Sequence, residues 1–192
     1  MSSHECLASA ASVVGTHPLF GPTVHSLQGQ RVVVTPGRGA EWLGWLKAAL
    51  HARGLEIMET TPEEHDRAMS IVQVLVHMST EVLGRTLATL NVPIDETLRF
   101  TSPIYLMELL LTARHFAQSP DLYAAIQTGN PGTAAIADAF VRAAQDLRAI
   151  AQSADRAAFR ELFAEVRRYF GPFTQNAVAQ SDFLIDRLVE RA

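Results

Sequence analysis

Five polar side chains recur at a regular spacing in a segment that is otherwise apolar. They are Asp66, Ser70, Gln73, His77 and Glu81. Their separations of four, three, four and four residues place them on one face of an α-helix. Between residues 68 and 78 this helix is apolar on nearly every side, so we expect it to be buried. Because buried polar groups must be paired, the stripe faces either an internal hydrogen-bond network or a wet cavity of ligand size.

Arg114 is the second candidate for chemistry. It follows a helical pattern and shares one face with Met107, Leu110 and Leu111. A guanidinium group keeps its charge in such an apolar setting, so an anion should neutralise it. That anion is either a carboxylate of the protein or a carboxylate substrate. The other polar residues of this helix lie on a different face and are expected to be solvated: Glu108, Thr112 and His115.

Several other kinds of site are not supported by the sequence. His65-Asp66 is typical of metal-ligating pairs, but no other histidine stands at ligand spacing, so no metal is expected. The single cysteine, Cys6, excludes an internal disulfide framework and a cysteine-rich zinc site. The balance of 16 basic and 20 acidic residues, without a basic tract, excludes nucleic acid as a partner.

A glycine-rich turn at residues 37–39 lies where a dinucleotide-binding fingerprint would lie, between a predicted strand and a predicted helix. The full fingerprint needs a third glycine so that the helix can pack closely on the strand. Trp42 occupies that position. We therefore expect no nucleotide cofactor at this turn.

The first part of the chain mixes strand and helix patterns. Residues 31–35 read as a buried strand, residues 41–53 as a helix and residues 55–58 as another strand. Trp42 and Trp45 are expected to pack in the core. Strand, helix and strand in this order predict a βαβ unit and a small parallel sheet.

From Thr61 onward the patterns are helical. Thr61-Pro62-Glu63-Glu64 is a strong helix start, and that helix should run to about residue 90. Further helices are predicted at 102–117, 120–128, 131–153, 155–170 and 172–191. The fold class is therefore mainly α: a helical bundle in residues 61–192, preceded by a small α/β (βαβ) segment in residues 1–60. The sequence contains no membrane span and no secretory leader, so a cytoplasmic location is expected.

Residues 15–22, Gly-Thr-His-Pro-Leu-Phe-Gly-Pro, resemble the active-site loop of prephenate dehydrogenases, NAD(P)-dependent enzymes of tyrosine biosynthesis. Residues 64–69 and 73–77 resemble the start of that family's first long helix of the helical domain, and residues 102–105 and 113–120 its next signature. The motifs occur in the family's order and cover nearly the whole chain from Gly15. The resemblance implies a homodimer formed by the helical part.

The resemblance also implies roles for individual residues. The histidine at the His17 position hydrogen-bonds the ring hydroxyl of prephenate and assists its deprotonation. His77 lies in the same pocket and is the second expected catalytic residue. Arg114 holds a substrate carboxylate, and Ser70, Gln73 and Tyr105 are expected substrate contacts. Leu106 stands where close relatives often carry arginine, which indicates altered substrate recognition.

In this family a dinucleotide-binding region precedes the His17 loop, whereas sixteen residues precede His17 here. We therefore expect an enzyme without a redox cofactor that acts on prephenate or a related carboxylated ring. Decarboxylation with dehydration, isomerisation or cyclisation would use His17 as acid or base. Two alternatives remain open: a non-catalytic ligand-binding or dimerisation module, and the substrate half of an NAD(P)-dependent dehydrogenase completed by another chain.

Overall fold

A small mixed sheet lies in the first part of the computed structural model, which describes residues 11–39 and 41–190. Strand β1 (Val14–Pro18) pairs antiparallel with β2 (Arg31–Pro36), and β2 pairs parallel with β3 (Glu56–Glu59). Helix α1 (Leu43–His51) connects β2 to β3, which confirms the predicted βαβ unit. The sheet is not wholly parallel, because the residues expected to form a loop around His17 form β1.

The central strand carries the core of this sheet. Val32, Val33 and Val34 are all buried, so both faces of β2 are covered. Trp42 and Trp45, expected in the core, are 57% and 65% exposed. The prediction was wrong because the two indoles, three residues apart, lie on the outer side of the short helix and contact each other edge to face.

Helix α2 (Pro62–Met69) begins at the predicted capping box. The Glu64 amide donates to Thr61 Oγ1 at 3.2 Å, and the Thr61 amide donates back to the Glu64 carboxylate at 3.5 Å. The helical run continues to Leu90, but not as one α-helix. Residues Ser70–Leu75 form a π-helical segment, and α3 (Val76–Leu90) follows it.

The chain divides into two compact units between Met69 and Ser70, within this helical run. The predicted helical domain begins earlier, at Thr61. In the structure α2 belongs to the first of the two units. The second unit is helical throughout, as predicted, which gives the mainly α class with a preceding α/β segment.

The remaining helices of the second unit match the predicted ranges to within about two residues. They are α5 (Pro103–Phe116), α6 (Pro120–Gly129), α7 (Thr133–Ser153), α8 (Arg156–Phe170) and α9 (Phe173–Val189). Ser102 caps α5 ahead of Pro103, and Asp155 caps α8 through two backbone amides. The short helix α4 (Ile94–Leu98) was not predicted.

The segment 68–78, expected to be buried on nearly every side, is covered on only one. Met69, Ser70 and Val74 are buried, whereas Ile71, Val72 and Val76 are each more than half exposed. The π-helical segment packs on α6 and α7. These two helices cover one side of the segment, so its apolar residues on the other side stay exposed. None of the helices among the described residues is both long and apolar enough to cross a membrane.

Candidate active-site residues

His17 lies in β1, paired with Val33 of β2, and Pro18 ends the strand. Its side chain is half-buried. The Nδ1 atom of His17 lies 2.8 Å from Nε2 of His65 on α2, and the two rings meet edge to face. Sequence reasoning missed this contact, since 48 residues separate the two histidines and no local pattern links a strand to a later helix.

His65 makes a second contact through its other ring nitrogen. Its Nδ1 atom lies 3.0 Å from Oδ1 of Asp66. Asp66, His65 and His17 therefore form a continuous hydrogen-bonded chain in the first unit. Among the described residues, no group of three or more histidine, cysteine or acidic side chains is arranged to hold a metal ion.

The environment of His17 favours its neutral form. Burial lowers the pKa of His17 below the ordinary value of 6.5, and the neighbouring His65 ring lowers it further. At neutral pH the imidazole is therefore uncharged. An uncharged imidazole offers one donor nitrogen and one acceptor nitrogen.

A second group of polar side chains lies in the helical unit, and we call it the His115 cluster. It consists of His77 and Glu81 of α3, His115 of α5, and Tyr123 and Gln127 of α6. His115 Nε2 donates to Glu81 Oε1 at 3.2 Å. The Gln127 side-chain amide donates at 3.2 Å both to Glu81 Oε2 and to the backbone carbonyl of Val74 in the π-helical segment.

Three aromatic rings pack within this cluster. The His77 ring lies 5.0 Å from the Tyr123 ring and 5.3 Å from the His115 ring, centroid to centroid. Burial lowers the pKa of His77, His115 lowers it further, and Glu81 opposes the shift. A cavity of about 410 Å³ adjoins the cluster, with Glu81, His115 and Tyr123 in its lining. Glu81, a member of the polar stripe, thus takes part in this hydrogen-bond network and also lines the cavity.

The members of the stripe have partners in different elements. Asp66 contacts His65 in the first unit, whereas Glu81 contacts His115 and Gln127 in the second. Ser70 is buried beside Gly132, where an added Cβ atom would lie 2.9 Å from Ser70 Cβ. The π-helical segment between Ser70 and Leu75 changes the angular step, so a count based on 3.6 residues per turn does not apply across it.

Two other predicted contacts, Gln73 and Tyr105, lie in different elements of the helical unit. Gln73 is half-buried within the π-helical segment. The Tyr105 hydroxyl donates to Thr97 Oγ1 at 2.7 Å, which ties α5 to α4. Of the predicted residues, only His77 belongs to the His115 cluster, while His17 belongs to the first unit.

Helix α5 presents the face opposite to the one expected. Thr112 and His115, predicted to be solvated, are buried, and His115 is only 7% exposed. Arg114 is exposed, as are Leu110 and Leu111 on the same face. The prediction was wrong for Thr112 and His115, whereas Glu108 is exposed as expected. Helix α5 is apolar on several sides, and His115 points inward because it binds the carboxylate of Glu81, 34 residues away.

The glycine turn at residues 37–39 does not fit a dinucleotide in its described part. Gly39 has a positive φ of 75°, but Ser12 covers it: an added Cβ atom would lie 2.6 Å from Ser12 Oγ. Trp42 stands in place of the third glycine and precedes α1 without a side-chain cap. A pyrophosphate needs close approach to the backbone at such a turn.

Comparison with known proteins gives the family. The model of the prephenate dehydrogenase dimerization domain matches residues 61–165. A probable arogenate/prephenate dehydrogenase of Methanocaldococcus jannaschii is 35% identical over 181 residues, covering 93% of this chain and 41% of that protein. The T-protein of Enterobacter agglomerans is 34% identical, with 90% and 46% covered.

A 4-amino-4-deoxyprephenate dehydrogenase of Streptomyces pristinaespiralis is 32% identical, covering 85% of this chain and 55% of that protein. The chain thus spans about half the length of the curated relatives it matches. Among solved structures, the fold resembles prephenate dehydrogenase of Aquifex aeolicus in complex with hydroxyphenyl propionate and NAD+, with a TM-score of 0.63 at 20% identity over 81% of this chain and 57% of that one. The chain belongs to the prephenate dehydrogenase family.

Proposed function

We propose that this chain binds a prephenate-like carboxylated ring and that His17 accepts the proton of the ring hydroxyl group. The observation that carries the proposal is the setting of His17: a half-buried imidazole whose pKa is lowered by burial and by His65. An imidazole that is neutral at neutral pH presents an acceptor lone pair, so it is available as a general base. The Aquifex aeolicus relative, which holds hydroxyphenyl propionate, supports a phenolic or hydroxylated ring as the ligand.

Arg114 is proposed to bind a carboxylate of this ligand. Its guanidinium group is exposed on α5 beside Leu110 and Leu111, which suits a ligand that is apolar around an anionic group. Arginine forms paired, charge-assisted hydrogen bonds with a carboxylate. We propose that His77 lies in the ligand pocket as a neutral imidazole, since its pKa is lowered. We also propose that Gln73 contacts the ligand directly. Ser70 is buried and the Tyr105 hydroxyl donates to Thr97, so we propose that both residues hold the neighbouring helices of the substrate site in place.

The reaction class follows from the direction of proton transfer. Removing the proton of a ring hydroxyl raises electron density on the ring, which assists oxidation at that carbon. The relatives named above are dehydrogenases, so we infer that the chain supplies the substrate-binding and proton-accepting part of a dehydrogenase. The described glycine turn does not fit a nucleotide, so other residues would have to bind the hydride acceptor.

A cofactor-independent reaction is the second candidate. Decarboxylation with dehydration, isomerisation or cyclisation of the same ring acid needs no nucleotide, and the observation in its favour is Trp42 in place of the third glycine. Dehydration would require His17 to donate a proton to the leaving hydroxyl. The lowered pKa of His17 opposes that role, and for this reason we rank the candidate second.

We also propose that the helical unit forms a homodimer. Helix α8 carries a stripe of apolar side chains, each at least 43% exposed, at intervals of four, three and four residues: Phe159, Phe163, Val166 and Phe170. Contiguous exposed apolar surface of this kind marks an interaction site. The description of the matching family model as a dimerization domain supports a second copy as the partner.

The test uses the purified chain with prephenate and with hydroxyphenyl propionate, in the presence and absence of NAD+ or NADP+. Calorimetry measures binding, and ultraviolet absorbance follows products. We expect both ring acids to bind, with affinity reduced about 2-fold to 10-fold in His17→Ala, the worth of one hydrogen bond, and more in Arg114→Gln because a charged bond is lost. Arg148→Gln, an exposed arginine of α7, serves as the control.

Three outcomes separate the candidates. Turnover that requires a nicotinamide and disappears in His17→Ala supports the dehydrogenase role. Turnover without a nicotinamide, lost in the same variant, supports the second candidate. The absence of binding to either ring acid would refute the proposal.

A further inference from the structure

We propose that Asp66 and His65 are positioning residues that select the tautomer of His17 and so make its Nε2 atom the base. This inference rests on the proposed function, in which His17 accepts a proton from the ligand. The hydrogen-bonded chain Asp66–His65–His17 carries it. In the sequence, His65 and Asp66 suggested only a metal-ligating pair.

The direction of each hydrogen bond follows from the chemistry of the first acceptor. An ionised carboxylate only accepts, so His65 Nδ1 must carry the hydrogen that it donates over 3.0 Å to Asp66 Oδ1. A neutral imidazole has one hydrogen, so His65 Nε2 is then an acceptor. His17 Nδ1, 2.8 Å away, must donate to it. The remaining nitrogen of His17, Nε2, therefore holds the lone pair.

The same hydrogen bonds persist after proton transfer. When His17 Nε2 takes a proton, its Nδ1–H still donates to His65 Nε2, and His65 Nδ1–H still donates to Asp66 Oδ1. An aspartate orients the histidine base of serine proteases in a comparable way. Asp66 is 48% exposed at its side chain, so water screens its charge and the effect should be smaller than that of a buried aspartate.

Helix α2 holds the two positioning residues in place. The capping box of Thr61 and Glu64 fixes the first turn, and His65 and Asp66 follow directly in the sequence. Helix α2 also packs on β2, the strand that pairs with His17. His65 is therefore held on the side of the sheet from which its ring can reach His17.

Nitrogen NMR of the full chain labelled with [15N]histidine tests the assignment directly. The spectrum is taken at roughly pH 8, above the ordinary histidine pKa, and His17→Gln identifies the His17 signals. We expect His17 to carry its hydrogen on Nδ1. In Asp66→Asn the amide group can donate to His65 Nδ1, which reverses both bonds and moves the His17 hydrogen to Nε2. Glu63→Gln, which removes an exposed carboxylate of the same helix turn, should leave the tautomer unchanged.

A hydrogen on Nε2 in the unmodified chain, or an unchanged tautomer in Asp66→Asn, would overturn the proposal. His65→Gln is the second variant, for use if Asp66→Asn does not fold. The side-chain oxygen of the new glutamine can accept from His17 Nδ1, so His17 should keep its hydrogen on Nδ1. In His65→Leu no acceptor remains there, so His17 should lose its preference for the Nδ1–H tautomer. A larger Nδ1–H fraction of His17 in His65→Leu than in His65→Gln would also contradict the assignment.

Kinetics supply the functional readout. Asp66→Asn should lower kcat by about 10-fold to 100-fold, within the range of acid–base contributions, with KM changed by less than about 3-fold because His17 remains in place. A structural defect would move both constants and the thermal stability. If the chain neither binds nor converts a ring acid, the proposed function fails, but the tautomer measurement still decides whether Asp66 and His65 orient His17.

Discussion

The imidazole ring of His115 lies against the phenol ring of Tyr123, with centroids 3.7 Å apart and planes 30° apart. This contact, together with the hydrogen bond to Glu81, fixes the inward face of α5. His77 approaches the same pair through the edge of the Tyr123 ring. His77 and His115 are thus held close together, with their ring centroids 5.3 Å apart.

We expect the free energy of unfolding to fall as the pH falls below about 6.5, in part because of His77. The pKa of His77 is lower in the folded chain than its ordinary value of 6.5, so the unfolded chain binds the proton more readily. The stabilisation is therefore complete above that ordinary value and is lost as the pH falls through the folded pKa. His17 contributes with the same sign.

Urea unfolding followed by circular dichroism between pH 7.5 and pH 5 measures this dependence. The pH dependence should be weaker in His77→Gln than in the unmodified chain. His25→Gln, at an exposed loop position, should leave the slope unchanged. An equal slope in all three proteins would contradict the prediction.

Gln127 should contribute measurably to the stability of the helical unit. Its amide donates to both the Val74 carbonyl and the Glu81 carboxylate. In Gln127→Leu both acceptors lose that donor, at a cost of about 1–3 kcal/mol. Gln118→Leu, which removes only a 3.4 Å bond at an exposed site, should change the free energy of unfolding by less than about 0.5 kcal/mol.

The Oε1 atom of Gln127 gives a reason why Gln127→Leu could instead raise the free energy of unfolding. It is buried and, within the described residues, has no hydrogen-bond partner. If a gain in stability were measured for Gln127→Leu, relief of that unpaired oxygen would outweigh the two donated bonds, and the network would not be a stabilising one.

Gly132 should not tolerate a methyl group. An added Cβ atom would lie 2.9 Å from Ser70 Cβ and 3.1 Å from Asn130 Oδ1, and Asn130 already accepts from the Gly132 amide at 2.7 Å. Because Ser70 is buried in the π-helical segment, it cannot move aside easily. Gly132→Ala should therefore lower the free energy of unfolding by about 1–3 kcal/mol.

Gly129→Ala is the matched control for this change. No atom lies within 4 Å of a Cβ added at Gly129, which ends α6. Its effect should be neutral or stabilising by up to about 1 kcal/mol, since alanine restricts the unfolded chain. Thermal melts of the two variants measure the difference, and equal melting temperatures would show that Ser70 yields to the added methyl group.

The helix starts of this protein could be predicted because their signals are local. Thr61 with Glu64 caps α2 where the sequence indicated. Ser102 and Asp155 cap α5 and α8, whose predicted ranges begin at these two residues. Capping requires only residues within one turn. The βαβ order could be predicted for a similar reason, since β2 and β3 are bounded by short turns.

Side-chain orientation was less predictable because it depends on distant partners. The sequence indicated a helix around His115, but only Glu81, on another helix, explains why this residue points inward. The π-helical segment also changed the spacing beyond Ser70, and no residue type announces such a segment. The contact of His17 with His65 joins a strand to a helix, so only the tertiary fold reveals it.

The apolar stripe on α8 leads to the last prediction, which concerns assembly. Phe163 is 63% exposed at the middle of the stripe, between Phe159 and Val166, and it also lines a groove of about 390 Å³ with residues of the same helix and Thr174. A charge introduced there would have to be buried in an apolar interface without a partner, which costs several kcal/mol. We expect Phe163→Glu to shift the protein from dimer to monomer in light scattering at micromolar concentration.

Phe100→Glu is the control, because it places the same charge at a phenylalanine that is 87% exposed just after α4. The Phe100→Glu protein should remain dimeric. A dimer that persists in Phe163→Glu but dissociates in Phe100→Glu would locate the interface away from α8, and a monomeric unmodified chain would refute the homodimer.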